Sequence, residues 1–127
     1  MSGSGRCLCG AIEFAFEGPT LWCAHCHCES CRRQTASAFA TFFAVSRERL
    51  RWTADPPTAF ESSPGVTRRF CARCGTPVAY ENVEYPDEIH LYLALLDAGT
   101  ERPSPQRHDF WKERVDWVRL ADDLPKE

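Results

Sequence analysis

Eight cysteines are the feature that most constrains how this chain of 127 residues can fold. With 43% hydrophobic residues, the chain can bury the core of one domain without covalent staples, so this many cysteines need a chemical explanation. We therefore interpret residues 1–127 as a single domain. The short spacings Cys7-x-Cys9 and Cys26-x-Cys28 do not suit a local disulfide, but they suit ligands that share one metal ion. The cysteines are predicted to bind metal.

The start of the chain and its charge restrict the expected partners. The first residues lack the basic start and apolar run of a secretory signal, and no segment has the ~20 apolar residues that cross a bilayer. We expect a cytoplasmic protein without a membrane partner, in a reducing compartment that disfavours disulfides. The net charge of -3 weighs against nucleic acid as a partner. The pair Arg68-Arg69 is then interpreted as exposed strand charge.

The hydrophobic pattern predicts strands. Between residues 11 and 17, apolar side chains alternate with glutamates, which is the period of a half-buried strand. Residues 37–46 are apolar on both faces and predict a covered central strand. The other predicted strands are 58–62 and 66–71, which form a hairpin, and 77–83 and 88–96. The ligand-rich residues 23–31 and the polar residues 97–109 are predicted to be loops. The fold is therefore predicted to be mainly β.

Four cysteines form the first predicted metal site. The segment Cys71-Ala72-Arg73-Cys74-Gly75 has the spacing of a zinc knuckle, in which two thiolates grip one ion and the glycine permits a tight turn. The segment Cys7-Leu8-Cys9-Gly10 offers the two further donors that a tetrahedral zinc needs, again followed by glycine. We predict a structural zinc held by Cys7, Cys9, Cys71 and Cys74. The alternative is that Cys7 and Cys9 are buried thiols beside a strand.

The remaining cysteines lie between residues 23 and 31, together with His25 and His27. If only Cys26, Cys28 and Cys31 bind, a zinc ion there keeps an open fourth position for a substrate thiol, water or carbonyl. If Cys23 or His25 supplies a fourth ligand, the site is closed and structural. An iron–sulfur cluster is the other inorganic option, but the separate four-thiol set favours zinc.

The ordered cysteine motifs resemble a known family. They are Cys7-x-Cys9-Gly10, then Cys26-His27-Cys28-x-x-Cys31-Arg32-Arg33, then Phe70-Cys71-x-x-Cys74-Gly75-Thr76-Pro77. The chain resembles the glutathione-dependent formaldehyde-activating enzymes, a family that also includes centromere protein V. The resemblance extends over nearly the whole chain, through Ser37-Ala38-Phe39 and Leu96-Asp97 to Asp123-Leu124-Pro125.

The resemblance implies a fold and an activity. The implied fold is Mss4-like, with antiparallel sheets and zinc knuckles, and it carries two Zn²⁺ ions. The implied activity adds the thiol of glutathione to formaldehyde to give S-hydroxymethylglutathione, a carbon–sulfur lyase reaction at the three-cysteine zinc. The implied partners are therefore a small-molecule thiol and an aldehyde. Ala36 departs from the family, which often has glycine there.

Three points stay open at the level of sequence. Arg32 and Arg33 are candidate substrate contacts because they follow the three-cysteine group, although they could be ordinary exposed charges. His25 and His27 are each expected either to support the metal ligands without binding the metal or to have no role at the site. The alternative function is a non-catalytic protein-interaction module with two structural zincs. The sequence does not indicate the oligomeric state.

Overall fold

The chain forms short strands and one α-helix over residues 2–127, which are the residues that the computed structural model describes. The strands are β1 (Ser2–Arg6), β2 (Glu13–Glu17), β3 (Trp22–Cys26), β4 (Ala40–Ser46), β5 (Leu50–Trp52), β6 (Thr58–Ser63), β7 (Val66–Phe70), β8 (Pro77–Asn82), β9 (Glu88–Tyr92) and β10 (His108–Asp109). The helix α1 is Glu29–Thr35, and 3-10 turns occupy Arg47–Arg49, Leu93–Leu95 and Trp111–Glu113. Within residues 2–127, no helix combines the length and apolarity needed to span a bilayer.

The strands form two sheets. One sheet has the order β1-β2-β5, and the other has the order β10-β3-β4-β9-β8-β7-β6. Neighbouring strands are antiparallel except for β10, which runs parallel to β3. The parallel pair is possible because a long connection precedes β10. The predicted mainly β fold with antiparallel sheets is confirmed, with this one parallel edge as an addition.

The main core lies between the two sheets. Phe14 and Phe16 of β2 pack with Phe43 and Val45 of β4 and with Leu91 of β9, and all five are buried. The rings of Phe16 and Phe43 lie 5.2 Å apart between centroids. Full burial of each such side chain contributes about 1.5–3 kcal/mol to stability. The alternating pattern of residues 11–17 thus correctly predicted which face of β2 is buried.

Strand β4 is covered on both faces, as its sequence predicted. Phe43 belongs to the main core, whereas Phe42 packs on the opposite face of the large sheet with Tyr92, Cys26 and Cys31. This second face is where the three-cysteine group lies. The apolar run of residues 37–46 therefore reflects two separate packing environments rather than one.

Three sequence predictions fail locally. The predicted loop of residues 97–109 ends in β10, which pairs with β3. Residues 23–31 are not a loop, because β3 pairs with β4 as far as Cys26 and α1 begins at Glu29. The last predicted strand ends at Tyr92 rather than at 96, and the chain turns there into Leu93–Leu95. Gly5 explains the close packing at this turn, since a Cβ atom on Gly5 would lie 2.6 Å from the carbonyl oxygen of Leu95.

Candidate metal centres and active site

The four predicted ligands of the first site come together. Cys7 and Cys9 lie in the turn between β1 and β2, and Cys71 and Cys74 lie in the turn between β7 and β8. Their four sulfur atoms all lie within 4.8 Å of one another. The Sγ atoms of Cys7 and Cys71 are each 3.7 Å from that of Cys9. Thiolates at about 2.3 Å around a tetrahedral zinc would lie about 3.8 Å apart, so the donor set fits that ion.

Glycine makes both turns of this site possible. Gly10 and Gly75 have φ angles of +83° and +81°, a conformation in which a side chain is strained. Each glycine donates its amide to the carbonyl of the cysteine that opens its turn, at 3.2 Å and 2.8 Å. The glycine that follows each cysteine pair is therefore structurally required, as its sequence position predicted.

Thr76 connects the two turns of the four-cysteine group. Its hydroxyl accepts a hydrogen bond from the amide of Leu8 at 3.2 Å and lies 3.1 Å from the Cys74 sulfur. Hydrogen bonds from the hydroxyl and the backbone of Thr76 lower the pKa of Cys74 to about 5. A thiolate is therefore favoured at this position, and thiolate is the form that binds metal.

The three-cysteine group lies where β3 gives way to α1. Cys26 ends β3, Cys28 caps α1, and Cys31 lies in the first turn of α1. The three sulfur atoms lie within 4.8 Å of one another, and those of Cys26 and Cys31 are 3.5 Å apart. In the part of the chain that the structure describes, no fourth cysteine, histidine or carboxylate joins them. A metal bound here would keep a position open.

Charge within the group is concentrated on Cys28. Hydrogen bonds from the thiols of Cys26 and Cys31 lower the pKa of Cys28, and the amide of Cys31, 3.2 Å from its sulfur, adds to this effect. The same contacts raise the pKa of Cys26, because a second adjacent anion is unfavourable. A divalent cation would remove this repulsion and allow all three sulfurs to ionise.

Arg68 is the cation beside this group. Both terminal nitrogens of its guanidinium lie 3.7 Å from the Cys31 sulfur, and its planar group covers the ring of Tyr80 at 5.0 Å. Only 4% of Arg68 is exposed. The prediction that the pair Arg68-Arg69 is solvent-exposed is therefore wrong for Arg68. Consecutive strand residues point to opposite faces, and the face of Arg68 is covered.

The two arginines predicted next to the substrate lie elsewhere. The Nε atom of Arg32 donates to the carbonyl of His27 at 3.3 Å, which braces the segment that carries the ligands. Arg33 is exposed and pairs with Glu29 one helical turn away at 2.8 Å. Neither side chain lines the cleft beside the three cysteines. The arginine beside the three cysteines is therefore Arg68, not Arg32 or Arg33, although these two are closer in sequence.

The two candidates for a fourth ligand lie outside the group. Cys23 is 1% exposed in the main core, on the opposite face of the sheet, and burial raises the pKa of its thiol to about 11. The Nδ1 atom of His25 lies 2.8 Å from the Thr41 hydroxyl. His27 contacts His108, which in turn contacts Asp122. The structure therefore does not support closure of the site by Cys23 or His25.

A cleft of about 600 Å³ opens beside the three cysteines. Its floor is the second face of the large sheet, where neighbouring strands place Trp22, Phe42, His90, Tyr80 and Arg68 on one side. Its volume lies within the range of small-molecule sites. Sequence analysis missed this cleft, because its five floor residues come from five different strands and only their period-2 positions indicate a shared face.

The fold and the site together define a class: mainly β proteins with a four-cysteine group and a more open three-cysteine group beside a cleft. The fold matches the crystal structure of a Rhodobacter sphaeroides protein with a TM-score of 0.65 and 24% identity, over 76% of this chain and 90% of that one. The family model described as glutathione-dependent formaldehyde-activating enzyme matches residues 2–113. The chain belongs to this family, as its cysteine motifs predicted.

Two relatives show how the family is represented elsewhere. A Halomonas elongata protein, provisionally named as a glutathione-dependent formaldehyde-activating enzyme, is 25% identical over 125 residues, covering 91% of this chain and 79% of its own. An uncharacterized lyase of Schizosaccharomyces pombe is 36% identical over 93 residues, covering 70% of this chain and 66% of its own. The chain is thus similar to one protein named after glutathione-dependent formaldehyde activation and to one named as a lyase.

Proposed function

We propose that this protein is a zinc-dependent carbon–sulfur lyase that joins and separates a thiol and an aldehyde, with S-hydroxymethylglutathione as the candidate adduct. The observation that carries the proposal is the group of Cys26, Cys28 and Cys31, which opens onto a cleft and has Arg68 against one sulfur. Membership in the family supports the thiol and aldehyde as substrates.

The donor chemistry of the group fits zinc. Three thiols within 4.8 Å of one another are soft ligands of the kind that zinc prefers, and three protein ligands are typical of a catalytic zinc site. When present, the ion would bind a substrate thiol and lower its pKa, so that the thiolate forms near neutral pH. We assign Cys26, Cys28 and Cys31 as its ligands.

The residues around the group would prepare it for an anionic sulfur. Three thiolates and one divalent cation leave a net charge of about -1, and a further thiolate would make it about -2. The guanidinium of Arg68 offsets part of this charge from a buried position. The floor of the cleft beside the group is largely aromatic, so a substrate bound there would contact Phe42 and Tyr80.

The proposed reaction balances without an oxidant or reductant. In the direction of synthesis, the sulfur electron pair forms a bond to the aldehyde carbon, and the π electrons of the carbonyl move to its oxygen. The proton lost by the thiol ends on that oxygen, which gives a hydroxymethyl thioether. In the reverse direction the carbon–sulfur bond breaks, and thiol and aldehyde are released.

We assign a structural role to the four-cysteine group. A zinc bound by Cys7, Cys9, Cys71 and Cys74 would connect the turn that joins β1 and β2 to the turn that joins β7 and β8. Such a site closes a long loop and adds the free energy of metal binding to folding. We therefore propose that the protein holds two Zn²⁺ ions. We also propose that it is located in the cytoplasm, because thiols stay reduced there.

Metal content and turnover of matched variants test the proposal. We expect two zinc ions per chain, and we expect Cys28→Ser to lose one of them together with turnover of the thiol–aldehyde adduct. Cys23→Ala is the control, because Cys23 is buried outside both groups and its replacement should leave both ions in place. Full zinc content without turnover of any adduct would instead favour the non-catalytic interaction module.

A further inference from the structure

A chain of hydrogen bonds connects the end of the sequence to the segment that carries the three cysteines. His27 lies between the proposed ligands Cys26 and Cys28, and its Nε2 atom lies 2.9 Å from Nδ1 of His108. The Nε2 atom of His108 lies 3.0 Å from an oxygen of Asp122. Only 2% of His27 and 0% of His108 are exposed, so water does not compete for the contact between them. Asp122 thus reaches the ligand segment through two buried rings.

His27 is fixed at its amide, at its carbonyl and at its ring. The amide donates to the carbonyl of Asp109 at 3.0 Å. The carbonyl accepts from Nε of Arg32 at 3.3 Å. The contact of the ring with His108 is the third anchor. Because His27 stands between two proposed ligands in sequence, these anchors constrain the positions of the sulfurs on both sides.

The segment that carries Asp122 is itself held against β10. The amide of His108 donates to the carbonyl of Pro125, and the amide of Glu127 donates to the carbonyl of His108, each at 2.8 Å. The amide of Leu124 donates to Oδ1 of Asp122 at 3.0 Å. The carboxylate therefore faces His108 in a fixed orientation.

The carboxylate determines the direction of the hydrogen bonds. An ionised carboxylate only accepts, so the hydrogen between Asp122 and His108 belongs to Nε2 of His108. In a neutral ring, Nδ1 of His108 then carries no hydrogen and accepts from Nε2 of His27. The Nδ1 atom of His27 is left without hydrogen. This agrees with its surroundings, since that buried atom has no partner among residues 2–127 and an N–H there would be an unpaired donor.

We propose that Asp122 is a positioning residue for the metal at the three-cysteine group, and that it acts through His108 and His27. The inference rests on the proposed function, because it takes a metal to be bound by the three cysteines. Without the carboxylate, Nε2 of His108 has no acceptor among residues 2–127, and neither ring is held in one orientation. Metal binding then has to order the ligand segment, which lowers the affinity.

Competition with a chromogenic chelator measures the metal affinity of both cysteine groups. Cys28→Ser removes one of the two transitions and so identifies the one that belongs to the three-cysteine group. We expect Asp122→Ala to weaken that transition by roughly 10- to 100-fold and to leave the other within about twofold. Asp122→Asn keeps an acceptor oxygen and should stay within about threefold of the parent. Asp123→Ala is the matched control, since Asp123 is exposed, forms no ion pair among residues 2–127 and should change neither transition.

The ring nitrogens of the histidines give a readout that a general loss of folding would not reproduce. In protein labelled with ¹⁵N-histidine, long-range proton–nitrogen spectra report which ring nitrogen carries the hydrogen. We expect Nε2 to carry it in both His27 and His108 of the parent and of Asp123→Ala. Asp122→Ala should lose this single pattern, because either nitrogen of His108 can then carry the hydrogen. A hydrogen on Nδ1 of His27 in the parent would overturn the assigned chain.

The metal measurements separate this inference from the proposed function. Unchanged affinity of both groups in Asp122→Ala overturns the positioning role and leaves the metal site intact. An equal loss at both groups also overturns it, because Asp122 would then support the fold as a whole. A loss in Asp122→Asn as large as that in Asp122→Ala overturns it as well, since an acceptor at this position would not be the cause. A parent chain with a single metal-binding transition overturns the proposed function and the inference with it.

Discussion

Replacing Arg68 by methionine should weaken metal binding at the three-cysteine group without weakening the fold. The guanidinium lies 3.7 Å from the Cys31 sulfur. A pair of unit charges at this distance attracts by about 4 kcal/mol at an effective dielectric constant of about 20. Desolvation offsets part of this, so the net loss is about 1.5–3 kcal/mol, which corresponds to roughly 10- to 150-fold in the dissociation constant.

The replacement of Arg68 should destabilise mainly the metal-bound state of the protein. Without metal, the negative charge of the group resides mainly on Cys28, because its contacts with Cys26 and Cys31 favour one thiolate over three. With a divalent cation all three sulfurs ionise, so the guanidinium gains more from the bound state than from the free one. Since methionine fills much of the same volume over Tyr80, we expect metal-free stability to stay close to that of the parent or to rise.

Competition with a chromogenic chelator at fixed pH measures this change. Arg69→Met is the matched control, since Arg69 is the next residue, points to the opposite face and pairs with Glu81 instead of a cysteine. Arg68→Lys should recover only part of the affinity, because it keeps the charge but loses the two-pronged geometry. If Arg68→Met held zinc within twofold of the parent, the electrostatic argument would be refuted.

Three further changes test the fold. Ala36 ends α1 with φ +51°, so Ala36→Gly should raise the free energy of unfolding in urea by about 1 kcal/mol, and a loss would contradict the strain. Phe43→Ala should cost about 3–5 kcal/mol in the same assay, since Phe43 is fully buried between the sheets; a loss below about 1 kcal/mol would place it outside the core. Burial depresses the pKa of His90 in the folded state below its ordinary value near 6.5. The stability that depends on the neutral ring is therefore present above about pH 6.5 and is lost as the pH falls below it. Compared at pH 7.5 and 5.5, His90→Gln should therefore lose less stability than the parent on acidification, and parallel losses would disprove the assignment.

The sequence predicted correctly those features of the fold and the site whose physical cause lies in a short segment of the chain. The pairing of Cys7 and Cys9 with a second knuckle follows from donor number alone, and the glycines after each pair follow from the turn that two ligands of one ion require. The buried face of β2 follows from its period of two. Ala36 is a local signal as well: the position where the family often has glycine is the left-handed end of α1. Apart from the pairing of the two knuckles, which rests on the number of donors, the information in each case lies within about five residues.

The structure of residues 23–31 shows why local signals are insufficient for the rest. Closely spaced cysteines and histidines resemble a loop of metal ligands, but pairing with β4 extends β3 as far as Cys26 and turns Cys23 into the opposite core. The strand period then separates residues that are adjacent in sequence, so Cys23 and Cys26 face different environments. The spacing alone made Cys23 a plausible fourth ligand. The pairing of β3 with β4, which the spacing does not reveal, excludes it.

The same reasoning applies to charge. Arg68 and Arg69 are indistinguishable in sequence, yet one lies against a cysteine sulfur and the other pairs with Glu81 on the opposite face. The difference arises because the second face of the large sheet is covered near α1 and the cysteines. Which face of a strand is covered depends on elements that lie far away in sequence. A functional cation in a β protein is therefore found by following one face across neighbouring strands, here from Trp22 through His90 and Tyr80 to Arg68, rather than by looking beside the ligands in sequence.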